Sequence, residues 1–165
     1  MKRILIRIGR ALRGLFVDKG PPKPPPDPRA LANPWLGTIL DRLGDRYRLG
    51  PDTPDGIQVL RRTGKARFNP MRAWLRTEGA LVACDYEAHV GEGQSVDLGR
   101  ELLDRQVKER LKALGLVQTS EKVEAWHGHV VTRRYQGACA DAGAAVAAIR
   151  HICEYSEQVI DAATQ

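Results

Sequence analysis

His127 and His129 stand two residues apart, so a single strand would turn both imidazoles to one side, where Glu124 or His89 would add further metal ligands. The competing arrangement is a turn at His127-Gly128, which parts the rings and leaves Trp126, His127 and His129 at the surface of a hairpin tip. A dependable zinc motif has four ligands at recognised spacing. The solvated turn is therefore the better reading, and no metal ligand is assigned.

Cys84, Cys139 and Cys153 are odd in number and form no Cys-x-x-Cys pair, which argues against a disulfide framework and for a reducing compartment. Cys84 and Cys153 fall on apolar faces, where a thiol behaves as a small hydrophobe. Cys139 sits where a helix N-terminus would lower its pKa, and is the one thiol with a case for reactivity. His151 lies too far along the same helix to serve as its base. Gly91-Glu92-Gly93 would cradle a phosphate only if the third glycine of the fingerprint did not fall on Val96 and Glu92 did not repel the ligand. It reads as a loop. Asp85 and Glu87 alternate along one strand face with nothing in the sequence to mark them as acids in catalysis. No catalytic residue and no cofactor-binding residue is assigned, and an enzyme is the less favoured class.

Arg61, Arg62, Lys65, Arg67, Arg72 and Arg76, interleaved with Phe68 and Trp74, are the residue types with which single-strand binders hold phosphates and stack bases. Strand alternation sends them to both faces, and the surrounding domain has no net charge. Nucleic acid is not the expected partner.

The charge is elsewhere. The 165-residue chain carries +6, and residues 1–29 hold eight basic side chains against Asp18 and Asp27, so the remainder balances at eighteen of each sign. At 100° per residue, Ile4, Leu5, Ile8, Leu12, Leu15 and Phe16 share one arc of the first seventeen residues, and Arg7, Arg10 and Arg13 lie opposite. These nine residues are the expected binding surface of a helix lying in an anionic membrane interface or docking on a protein. Gly9 and Gly14 weaken that helix by up to ~1 kcal/mol each, so it is expected to order only on contact. The arc also resembles an organelle presequence without the usual serines. Residues 20–28, GPPKPPPDP, have six prolines in nine positions and are expected to form a stiff polyproline spacer, the alternative being an SH3-type or WW-type ligand. Residues 1–19, 20–32 and 33–165 are thus expected to be helix, spacer and globular domain. No apolar run reaches membrane-spanning length and no secretory signal is evident, so a cytoplasmic, peripherally recruited protein is expected.

The domain that positions these residues is organised about 97–115, where Leu103, Val107, Leu111 and Leu114 form an apolar stripe, with Asp97 as the expected N-cap and Gly115 as the left-handed stop. Before it, Asn33 and Pro34 open a helix carrying Leu36, Ile39, Leu40, Leu43 and Tyr47. Pro51, Pro54 and Asp55-Gly56 then break the chain before the strand GIQVLRR. A hairpin about Glu78-Gly79 sets Leu75 against Val82, Ala73 against Cys84 and Arg72 against Asp85. After the central helix, Lys122–Trp126 and His129–Tyr135 form another hairpin, and Cys139 to about Ala163 reads as a long Ala-rich helix.

The expected fold is α+β: an antiparallel sheet of about five strands packed against helices, in the order α-β-β-β-α-β-β-α after the basic arm. That order over residues 33–163 resembles the fold of secretion chaperones and related sensory-transduction regulators. The resemblance implies a non-enzymatic protein that binds another polypeptide, as a homodimer if it follows the family. The expected function is an adaptor or chaperone-like module tethered by its arm to a membrane surface or protein assembly. The alternatives are a small enzyme with a His/carboxylate site and a nucleic-acid binder using 61–76.

Overall fold

The computed structural model describes residues 25–61, 72–76, 80–154 and 159–162. Two helices open it, α1 (Pro28–Ala32) and α2 (Pro34–Leu43). Strands β1 (Tyr47–Thr53), β2 (Gly56–Arg61), β3 (Arg72–Arg76) and β4 (Leu81–Val90) follow. The central helix runs as α3 (Val96–Leu103), a π-helical segment (Asp104–Lys108) and α4 (Glu109–Ala113). Then come β5 (Val117–Ala125), β6 (His129–Ala138), α5 (Ala142–Glu154) and β7 (Val159–Asp161). The class is α+β, as expected. Six strands form an antiparallel sheet in the order β1-β2-β3-β4-β6-β5, and β7 adds to β4 in parallel.

Alternation divides the sheet into a buried and an outer face. Val59, Ala73, Leu75, Val82, Cys84, Tyr86, Ala88, Val131 and Tyr135 point to the side where all the longer helices lie, and join Leu36, Ile39, Leu103, Leu111 and Ile149 in one core. The expected Leu75–Val82 pairing is present, flanked in the same register by Trp74–Ala83 and Arg76–Leu81. The hairpin at His127-Gly128 is also present: β5 ends at Ala125, β6 begins at His129, and the backbone turns left-handed at His127 (φ 45°) and Gly128 (φ 114°). Glu78-Gly79 lies outside the described residues.

The central helix is capped by Ser95, whose Oγ accepts from the Asp97 amide at 3.2 Å, rather than by Asp97 itself. Asp97 instead accepts from Arg100. The stripe steps by four from Leu103 to Val107 to Leu111, and each such step overshoots a 3.6-residue turn by about 40°. The wider π segment absorbs that drift and keeps all three residues on the core. At the far end, the Gly115 amide donates to Lys112 and the Leu116 amide to Leu111, with Gly115 at φ 77° and Leu116 buried. This is a Schellman stop.

Three elements differ from expectation. Tyr47 is not the last residue of a helix but the first of β1, a strand the two prolines concealed. Pro51 is tolerated there because β1 is an edge strand with a bulge between Leu49 and Asp52. The last five residues of the expected spacer form α1, and Arg29 fastens it by donating to Asp27, Asp52 and the Gly50 carbonyl. The Ala-rich helix begins at Ala142, not Cys139, and ends at Glu154. Ile160, expected on its stripe, lies in β7 opposite Ala88, and Ser156 and Ala163 fall outside the described residues.

Candidate functional site

Neighbouring residues of β6 send two arginines through opposite faces of the sheet. Arg133 enters the buried face, where its side chain is only 6% exposed. It donates from Nη1 to Asp104 and from Nε to Glu121, both at 2.8 Å. Glu121 also accepts from Arg100 at 2.8 Å, and Lys108 lies 3.4 Å from Asp104. A buried guanidinium is tolerated only with such paired acceptors. Burial alone would raise the Asp104 carboxyl, but Arg133 and Lys108 outweigh it and hold it low; Arg133 and Arg100 do the same for Glu121.

On the outer face, Arg134 donates twice to Asp85, at 2.7 and 2.8 Å, and also to both oxygens of Asp55. Its guanidinium lies 5.2 Å from the Trp74 ring centroid and covers it, leaving that indole 6% exposed. The alternative nucleic-acid surface therefore loses its described aromatic. Arg61 points toward the Cys153 carbonyl on the buried side, and Arg76 donates to the carbonyls of Pro54 and Asp55. Arg62, Lys65, Arg67 and Phe68 lie outside the described residues.

The candidate metal ligands are not brought to one point. Register places His129 on the face of Val131 and Arg133, whereas His89 and Glu124 lie on the other. Glu124 is paired with Lys122 at 2.7 Å. His89 sits 3.4 Å from Glu87 and edge-on to Trp126, whose ring also meets His127. No group of three metal-binding side chains occurs among the described residues. An open depression of about 370 Å³ beside the β1–β2 turn is lined by Thr53, Ile57, Leu75 and Arg76 among others, and holds none of the four histidines.

The thiols also differ from expectation at one point. Burial, reinforced by Asp141, pushes the Cys139 thiol up rather than down, because it precedes the helix and packs against the core. Cys84 and Cys153 are buried as expected. Gly91-Glu92-Gly93 forms a loop closed by hydrogen bonds between Gly91 and Gln94.

What remains open is an edge. Among the described residues β5 pairs only with β6, and all nine of its residues are exposed, even Glu121, whose side chain is turned inward. Half of its N–H and C=O groups therefore have no described strand beside them. Val117, Val123 and, just beyond the strand, Trp126 are exposed large apolar residues at 59%, 40% and 61%. The opposite edge is blunted by Pro51, the bulge and Arg29 on the Gly50 carbonyl. Sequence reading located the hairpin tip but missed this edge, since strand order is a property of the whole sheet.

The nine arm residues, Ile4 to Phe16, lie outside the described residues, and no described helix is long and apolar enough to cross a membrane. No protein-family model, no curated protein and no solved structure matches the chain.

Proposed function

We propose that the chain is a non-enzymatic adaptor: a folded body that offers the β5 edge to another polypeptide strand, tethered by residues 1–17 to an anionic membrane surface. The observation that carries this reading is the contrast between a body whose acids and bases balance and a leading stretch, residues 1–29, that holds the whole surplus of six positive charges, five of them within residues 1–17. Within the described body, Arg133 and Arg134 are each engaged by two carboxylates, and β5 offers an exposed backbone edge. The arm has a basic face against an Ile/Leu/Phe face and no acid before Asp18, the composition that favours an interface of anionic lipid.

Vesicle co-sedimentation tests the tether. The full chain should partition onto vesicles containing phosphatidylserine and leave them at high salt. A variant with Arg7→Glu, Arg10→Glu and Arg13→Glu should stay in the supernatant. Equal partitioning of both proteins rejects the membrane reading. Absence of lipid binding, with arm-dependent capture of a protein partner, would assign the tether to a protein assembly instead.

A further inference from the structure

We infer that β5 pairs antiparallel with β5 of a second copy of this chain, about a two-fold axis passing through Val123. This rests on the reading of β5 as the docking edge and names its occupant. A two-fold perpendicular to a sheet sets residue i against residue j on the same face, so the axis must pass through a residue, not between two. The bulge between Gln118 and Ser120 confines the regular part of β5 to 120–125. An axis at Glu121 or Lys122 sets like charges directly opposite one another and draws the bulged residues into the ladder. An axis at Val123 avoids both.

In that register the chain is self-complementary. Val123, 40% exposed in the single copy, meets its own counterpart. Lys122 of each copy lies opposite Glu124 of the other, giving two reciprocal ion pairs on the outer face in place of the pairing these residues make along one strand at 2.7 Å. Glu121, already satisfied by Arg133 and Arg100, lies opposite the small Ala125 and meets no acid. Trp126 of each copy comes to lie near Ser120 of the other, where its large exposed surface is covered. The paired stretch is short, so the dimer is expected to be weak and concentration-dependent.

The test uses the full chain in sedimentation equilibrium from low to high micromolar concentration. The wild type should show a reversible monomer–dimer equilibrium. Lys122→Glu should raise the dissociation constant about tenfold or more, and adding Glu124→Lys to it should restore dimerisation, since the swapped charges face each other again. Both positions are exposed, and circular dichroism checks that the variants fold. Val123→Cys should form an interchain disulfide under mild oxidation while Ser120→Cys, set opposite Trp126, should not. A wild type that stays monomeric overturns the inference, as does a dimer indifferent to Lys122→Glu. In the monomeric case, binding of a labelled peptide with the sequence 117–126 leaves the edge reading standing, and no binding removes that reading as well.

Discussion

Arg133 and Arg134 are consecutive on β6, yet their guanidinium groups lie on opposite faces of the sheet and each is gripped by two carboxylates from elsewhere in the chain. The inner pair of acids comes from the central helix and the edge strand, and the outer pair from the β1–β2 turn and β4. Two side chains thus join five separate elements.

The two clamps differ in depth, and their removal should differ accordingly. Arg133→Met leaves Glu121 and Asp104 facing a largely buried gap, for an expected loss of about 2 kcal/mol. Arg134→Met, on a face with more water, should cost about 1 kcal/mol. Urea unfolding of both variants measures the order, and equal losses would contradict the burial difference.

Acid should attack these clamps first. Asp55 is held below the ordinary carboxylate range by the hydrogen bond from Arg134, Asp27 by that from Arg29, and Glu121 and Asp104 lie low in their arginine network. A depressed carboxyl contributes stability that is fully present above its unfolded pKa, near 4, and is lost as pH falls through the folded value. Stability should therefore be level from neutral pH to about 5 and fall below about 4. The fall should be shallower in Arg134→Met, which lacks one clamp. Unfolding free energy followed against pH decides this, and an unchanged slope would show that Arg134 does not hold Asp55 low.

The three thiols should separate by access. With an aromatic disulfide reagent at neutral pH, Cys139 should react first and more slowly than free cysteine, since burial raises its pKa. Cys84 and Cys153, at 0% and 1% exposure, should react only on unfolding. Fast reaction of Cys139 would restore the reactive role that its position in the sequence suggested.

Gly128→Ala should cost about 2 kcal/mol or more, because φ is 114° and an added Cβ would meet the Val90 carbonyl and the backbone of Gly91. Thermal unfolding measures it. A neutral substitution would mean that the hairpin tip shifts without cost.

Local signals were the legible part of this fold. The stripe at Leu103, Val107 and Leu111, the stop at Gly115, the Leu75–Val82 register and the turn at His127-Gly128 are each written within a few residues. The stripe even carried its π segment, in two successive steps of four. What escaped was decided by neighbours distant in sequence. Pro54 does mark the β1–β2 turn, but Pro51 read as a break because the rule that admits proline to an edge strand needs the edge to be known. Ile160 leaves the helical stripe because β4 offers a parallel partner at Ala88. The carboxylates on Arg133 and Arg134 come from 12 to 79 residues away, which no spacing rule reaches.

The fastening of Arg29 onto Gly50 and Asp52 fixes where the chain enters the body: beside β1, the rim farthest from β5, roughly 24 Å across five interstrand spacings. The described chain thus enters at one end of the sheet, and β5 lies at the other. Joined through Val123, two molecules would have their entry points at opposite extremities of a single platform twelve strands across, with both helical layers facing one way. Such a body would settle on a flat surface by two widely spaced footholds, and either foothold would keep the other close enough to rebind after release.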